Sequence, residues 1–323
     1  PPAGPFGIYS NISSAGDEWE RAVSMEWIDP QTGEGTQIDC EVSMQGGSGS
    51  SITWASQGSI EVKFKKSYGP GELNYAIFDD IAVGEFDSLI FDAGNQNSIH
   101  ANTGVQTKLH AQGMRDQFVM DLQASLDRPG PAGRHVHVFL NGLYWGLYNL
   151  HETPDENWCS NHFDGGSEEF DWVKEGAVRA GNFNAHDHPT APGSWRTAIA
   201  IASNGLDVGD QWGGIPSYEA LAEHVDLANY ADYMLINFYG GNLDWPAYNW
   251  MATSHARNSV DWDDVNLAGR FRFHTWDAET VLGWEGVSAV GDGWYDRTYV
   301  GQNFNPGSAA FFYGRLRDHP EFR

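Results

Sequence analysis

Asp244 and Asn249 stand five residues apart in Asn237-Phe-Tyr-Gly-Gly-Asn-Leu-Asp-Trp-Pro-Ala-Tyr-Asn-Trp250, a loop that interrupts an apolar run, and Asp277 closes the later stretch Phe271-Arg-Phe-His-Thr-Trp-Asp277. A carboxylate, an amide shortly after it and a second carboxylate at a strand end are the parts needed to orient a hydroxyl and to hold a divalent ion on phosphates. Mg2+ prefers such hard oxygen ligands. The same residue types also cap turns with no ligand at all, so this spacing gains weight only from its surroundings.

Three other groupings offer different chemistry. His186-Asp-His188, with His151 or His162, has the nitrogen donors of a zinc site, but spacing fixes no third ligand. Asp261-Trp-Asp-Asp-Val-Asn266 offers carboxylates and carbonyls for Ca2+, or is simply a solvated acidic loop. Asp277 and Glu279, with Trp276 and Trp284 nearby, would face the same way about 7 Å apart if they shared a strand, a spacing used by inverting carbohydrate hydrolases. No Gly-x-Ser-x-Gly elbow supports a serine nucleophile.

The elements that must carry these residues are legible from period and punctuation. Ala22 to Ile28 and Ile38 to Met44 alternate apolar and polar residues on either side of a turn at Asp29 to Gly35, which predicts a hairpin. Gln45-Gly-Gly-Ser-Gly-Ser-Ser51 is a glycine-rich loop before a strand with Ile60, Val62 and Phe64 on one face and Glu61, Lys63 and Lys65 on the other. That layout can cover a phosphate with backbone N–H groups and one lysine, or can be a plain flexible hairpin. Asp87 to Phe91 reads as a strand. Leu109 to Leu126 reads as a helix with Met114, Phe118, Leu122 and Leu126 as its apolar stripe, Arg115, Asp116 and Asp121 opposite, and Pro129 as its stop.

Asn141-Gly142 between Val136–Leu140 and Tyr144–Leu150 is a strong hairpin signal, because both turn residues must take positive φ. His151-Glu-Thr-Pro154 then leaves the sheet, and a lobe boundary is placed there, giving lobes 1–152 and 153–323. Further on, Ser217 to His224 and Asp226 to Tyr239 read as helices, the second with Leu227, Tyr230, Met234, Leu235 and Phe238 inward, Asp226 as N-cap and Gly240-Gly241 at its end. Ser308 to Arg323 reads as an amphipathic helix.

Composition narrows the partners. The 323 residues can bury a large core and favour two packed lobes. With 18 basic and 44 acidic residues the net charge is −26, which repels phosphate backbones and speaks against nucleic acid. No window approaches the roughly 20 apolar residues of a membrane span. The start at Pro1-Pro2-Ala3, without an initiator Met or a signal peptide, is expected of a segment of a longer multidomain protein. Two cysteines, Cys40 and Cys159, make no disulfide framework, and few thiols with 14 Trp and 38 Gly suit an extracytoplasmic domain.

Asn141-Gly-Leu-Tyr-Trp-Gly-Leu-Tyr-Asn-Leu-His-Glu152 resembles the signature of the CotH (spore coat protein H) atypical kinases, in which Asn-Gly-x-Tyr-x-Gly-x-Tyr leads to a Glu. Gln45-Gly-Gly-Ser, Val62 to Gly69, Asp87-Ser-Leu-Ile, Arg115-Asp-Gln, Asn242-x-Asp-Trp-Pro and Phe273 to Glu279 look like landmarks of that family, in its order, from Gly7 to the end. The resemblance implies an α+β, diverged protein-kinase-like two-lobe fold: an antiparallel sheet with one packed helix in the N-terminal lobe, and a more helical C-terminal lobe. It implies ATP and Mg2+ as cofactors and phosphoryl transfer to Ser or Thr of a protein substrate, in a bacterial secreted or surface-associated protein.

On that basis Asp244 is the catalytic aspartate, Asn249 and Asp277 are metal ligands, Glu152 lies beside the adenine, Arg115 faces the phosphates and Lys63 assists. One departure stands out: Gln57 and Gly58 occupy the place where the family shows a basic residue. A neutral side chain there gives the phosphates no charge-assisted hydrogen bond, so an inactive pseudokinase, or an adhesion or calcium-binding module, stands as the alternative.

Overall fold

The computed structural model describes residues 19–46, 57–79, 81–94, 98, 111–163, 165–174, 192–255, 269–283 and 307–323. The glycine-rich loop after Gly46, His186, His188, the Asp261–Asn266 loop and Trp284 lie outside these residues. The described residues fall into two compact units, one drawn from 19–117 and 131–153, the other from 118–130, 154–283 and 307–323.

The first unit is built on an antiparallel sheet. Arg21–Ile28 (β1) pairs with Gly35–Met44 (β2), Ile60–Lys63 (β3) follows, and Leu73–Asn74 (β4) pairs with Glu85–Phe86 (β5) in a separate ribbon. Ser88–Asp92 (β6), Gly133–Leu140 (β7) and Leu143–His151 (β8) complete its strands, and the helix Arg115–Ala124 (α1) starts in this unit, with its residues from Phe118 on counted in the other. The six-stranded order is β1-β2-β3-β6-β8-β7. Alternation decides which face is buried: Ile38, Ile60, Val62, Phe64, Leu89 and Leu150 form one core with Leu73, Phe78 and Phe86. The β7–β8 turn is the two-residue connection expected, with Asn141 at φ 51° and Gly142 at φ 77°.

α1 corrects two expectations. It begins at Arg115 rather than Leu109, and its buried positions are Arg115, Asp116, Gln117, Val119, Met120 and Gln123, whereas Met114, Phe118 and Leu126 are exposed. A strict four-residue spacing drifts by about 40° per step around a 3.6-residue helix, so the apolar stripe did not define one face. Polar side chains share the inner side with Val119 and Met120, and Gln123 among them has backbone partners.

The second unit contains Glu156–His162 (α2), Phe170–Lys174 (β9), Pro192–Asn204 (α3), Gln211–Trp212 (β10), Ile215–Pro216 (β11), Ser217–Ala222 (α4), Leu227–Gly240 (α5), Trp250–His255 (β12), Arg272–Thr275 (β13) and Tyr313–Leu316 (α6). β12 lies between β13 and β9, all antiparallel. Its core is aromatic: Trp195 of α3 stacks on Trp250, 5.8 Å between ring centroids, and meets Phe271 and Phe312 edge-on.

α5 is capped as read, the Asp226 carboxylate accepting from the Asn229 N–H and Gly241 taking φ 61° at the C-terminus. Leu235, however, is exposed, because the inner face runs through Asn229, Tyr230, Tyr233, Met234 and Asn237, two of them amides. The terminal stretch is likewise not one long helix. Only Tyr313–Leu316 is helical, and the residues before it are pinned by Tyr230, whose hydroxyl donates to the Ala309 carbonyl and accepts from the Tyr313 N–H, both at 2.8 Å.

Among the described residues β13 pairs with a strand on one side only, and two buried amides complete its other edge. Asn229 of α5 accepts from the Phe273 N–H (2.6 Å) and donates to the Phe273 carbonyl (3.2 Å). Gln123 of α1 accepts from the Thr275 N–H (2.7 Å) and donates to the same Phe273 carbonyl (2.9 Å) and to Pro129 (3.2 Å). Removing either amide strands a buried peptide group. Asn229→Ala should therefore lower the urea unfolding free energy by on the order of 2–3 kcal/mol, more than a truncation on the exposed face of α5 such as Leu235→Ala.

Candidate functional site

The loop after α5 is tied down through a relay of polar side chains. The Asn237 side chain donates to the Tyr233 carbonyl (3.0 Å), and Asn242 donates to Asn237 Oδ1 (2.9 Å). Thr280 Oγ1 donates to Asn242 Oδ1 and accepts from the Asp244 N–H, each at 2.9 Å. The Leu243 N–H meets the Thr280 carbonyl at 3.1 Å and the Leu282 N–H meets the Gly240 carbonyl at 2.7 Å. These bonds lay the segment that follows Asp277 alongside the loop that carries Asp244.

Trp245 anchors the other side of the loop, buried with its indole N–H on the Tyr233 hydroxyl at 2.7 Å. A cis peptide joins it to Pro246. With its neighbours anchored, Asp244 itself is exposed, and Asn249 donates through Nδ2 to Asp244 Oδ2 at 3.3 Å. That bond leaves Asn249 Oδ1 as the amide atom suited to a cation. Asn249 has φ 58° and Asp277 φ 50°, left-handed conformations in which Asn and Asp are the side chains best tolerated. Leu282 has φ 54° in the same segment. Backbone strain of this kind persists where surrounding structure holds it, and it clusters at functional sites. Two carboxylates and an amide oxygen on these neighbouring segments are the hard donors that suit Mg2+.

Asp277 does not end the strand as expected; β13 stops at Thr275, and Asp277 sits exposed in the turn beyond it. Asp277 and Glu279 consequently share no strand face, and the carbohydrate-hydrolase geometry drawn from strand spacing fails. Directly after Asp277, Ala278 and Val281 pack with Val119 and Ile236 in a small core, which fixes the turn from behind.

In the first unit, the Glu152 side chain is buried and accepts from the Ala132 N–H at 2.9 Å, while its own N–H donates to the Ala132 carbonyl. Arg115 is buried in the first turn of α1. Lys63 sits 2.9 Å from Glu61 on the partly exposed face of β3. Neighbouring Lys65 contacts Glu20 and lies 3.8 Å from Glu41, whose carboxyl is pushed up to about 7, first by burial and then by its hydrogen bond to Glu20. Gln57 donates through its amide to the Trp145 carbonyl of β8. Next to that carbonyl is Gly146, at φ 150°, where any Cβ would collide with the Gln57 amide. The Gly of the Tyr-x-Gly-x-Tyr signature thus makes room for the Gln57 amide.

Two further groups in the second unit are strongly perturbed. Burial holds His274 down to about 3. Its Nδ1 lies 3.0 Å from the Pro129 carbonyl, which can only accept, so Nδ1 carries the proton and Nε2 accepts from the Thr253 hydroxyl at 2.7 Å. His274 is a neutral structural ring. Burial pushes Asp171 of β9 up to about 7.

A family model described as CotH kinase protein matches residues 109–196. This bears out the resemblance read from the motifs. The matched stretch runs from before α1 into α3 and contains Arg115 and Glu152 but not Asp244, Asn249 or Asp277. No curated protein matches the chain. None of the described helices is long and apolar enough to cross a membrane.

Residue type and spacing brought out Asp244, Asn249 and Asp277; they carried no sign that Thr280 and Asn242 brace the Asp244 loop or that Gln123 holds Thr275, because those contacts form only when segments distant in sequence meet. Thr280→Val, which keeps shape and loses the hydroxyl, should loosen the Asp244 loop, read as faster amide exchange over Gly241–Asp244 with little change in global unfolding. The Asp171 carboxyl gives a pH signature. Its folded value is raised above the usual carboxylate value, so its contribution is fully present below about pH 4 and is lost as pH rises through 7. Asp171→Asn should therefore match wild type near pH 4 and exceed it at pH 8 by up to about 4 kcal/mol in urea unfolding.

Proposed function

We propose that this chain is an atypical protein kinase domain that binds Mg-ATP and transfers the γ-phosphoryl group to a Ser or Thr hydroxyl of a protein, in a secreted or surface-associated parent. The observation that carries the reading is the Asp244–Asn249 hydrogen bond on a loop laced to the turn of Asp277, in a chain whose residues 109–196 match a CotH kinase family.

In this reading Asp244 accepts the proton of the acceptor hydroxyl as its oxygen bonds to the γ-phosphorus and the bond to the bridging oxygen of ADP breaks. Asn249 Oδ1 and Asp277 hold Mg2+, which neutralises charge on the phosphates when bound. Arg115 and Glu152 are the residues that the family resemblance assigns to the nucleotide. Positioning and electrostatics carry most of the rate, as in phosphoryl transfer generally.

A second reading, a nucleotide-binding pseudokinase, is favoured by a specific observation: Gln57 is spent on the Trp145 carbonyl and Lys63 lies against Glu61. Thermal shift with ATP, with and without Mg2+, followed by transfer of labelled phosphate to itself or to a Ser-rich protein, separates the two. The kinase should be stabilised by ATP only with Mg2+ and should label protein. Asp277→Asn should abolish the stabilisation, and Asp244→Asn should keep it while lowering transfer by about 10²-fold or more. Stabilisation without transfer selects the pseudokinase, and transfer unchanged in both variants sinks the residue assignment.

A further inference from the structure

Outside the loop of Asp244, the first unit gathers a second set of metal-ligating side chains. Asp92 ends β6, Asp116 lies in the first turn of α1 and His151 ends β8, and one ligand atom from each lies within 4.8 Å of the other two. Asp116 and His151 are buried and Asp92 is partly so. We propose that these three residues bind a single divalent transition-metal ion of the Zn2+ type.

The argument rests on how each ligand is prepared. His151 Nδ1 lies 2.8 Å from the Glu152 carbonyl oxygen, and since a carbonyl only accepts, Nδ1 carries the proton. A partner on one ring nitrogen fixes tautomer and ring orientation, as in metal-bound imidazoles, and makes Nε2 the atom that a metal would take. Asp92 is prepared as a carboxylate: its Oδ1 accepts from the Ser59 hydroxyl at 2.6 Å and from the Gly94 N–H at 3.1 Å. Ser59 Oγ is itself held by the Ala93 N–H at 3.0 Å.

Two carboxylates and an imidazole gathered within 4.8 Å offer the charge and the donor atoms that a divalent cation takes. The imidazole decides the class of ion, since nitrogen donors suit Zn2+ and its neighbours whereas Mg2+ and Ca2+ favour oxygen alone. Zinc–ligand bonds of about 2.0–2.2 Å put ligands of one ion within roughly 4 Å of each other, so the cluster closes with shifts of about 1 Å or less. The ion would tie two strand ends to the first turn of α1, one residue from Arg115 on one side and from Glu152 on the other. With three protein ligands the ion would keep one position for water or a further ligand, and the site shares no residue with Asp244, Asn249 or Asp277.

The test uses the whole chain, dialysed first against a chelator and then against Zn2+, Mn2+, Mg2+ or Ca2+ alone, with bound metal counted by mass spectrometry. One Zn2+ per chain is expected, not displaced by Mg2+ or Ca2+ at the same concentration, and Co2+ loaded in its place should give visible d–d bands. D92N and H151Q should each bind Zn2+ at least tenfold more weakly, with circular dichroism confirming that they are folded. If H151Q fails to fold, D92N decides, because it keeps shape at a partly exposed position. H186A/H188A and D244N/D277N should retain the metal. Absence of Zn2+ from wild type, full retention by D92N, or loss in H186A/H188A would each overturn the proposal.

Discussion

The second unit depends on the open edge of β13. A strand paired on one side leaves peptide groups facing away from the sheet, and when that edge is buried they need partners other than water. Here Gln123 and Asn229 supply them, from two helices and with a shared acceptor at the Phe273 carbonyl. Each amide has a donor and an acceptor in one plane and so substitutes for a missing strand. The turn that carries Asp277 begins two residues beyond Thr275, the last peptide group so held, and its direction follows from that constraint.

Around this strand the exposed polar groups are few and their supports many. Asp244 and Asp277 reach solvent, but Asn237, Asn242, Thr275 and Ala278 behind them are buried. The left-handed conformations of Asn249 and Asp277 are compatible with this arrangement, since the residues on both sides are fixed by hydrogen bonds or packing. Preorganisation of this kind is what a reaction governed by placement of phosphates requires. The pairing of Lys63 with Glu61 and of Lys65 with Glu20 follows from the same distribution of charge in a protein of net charge −26, where each cation is drawn to a nearby carboxylate.

The hairpins, the cap of α5 and the Asn141-Gly142 turn were legible in the sequence because their causes are local: alternation, a capping carboxylate, residues that tolerate positive φ. The buried faces of α1 and α5 were not. In both helices polar side chains, Gln123 and Asn229 above all, point inward to backbone partners distant in the chain, and a reading by apolarity assigns such positions to solvent. The terminal stretch misled for a related reason, its backbone being held by Tyr230 rather than by its own helical bonds. Within the candidate site the chemistry-bearing residues were found by type and spacing, their supports were not, and Asp92 escaped notice because its neighbours meet only when the sheet is assembled.

The fit between Gln57 and Gly146 bears on how such a domain changes over generations. The glutamine's amide occupies the space that a side chain at position 146 would fill, and it holds the carbonyl of Trp145. A lysine at position 57 would bring a charge in place of the planar amide that lies against the bare glycine backbone. The two positions are coupled in the fold, so a substitution at either one acts on the other.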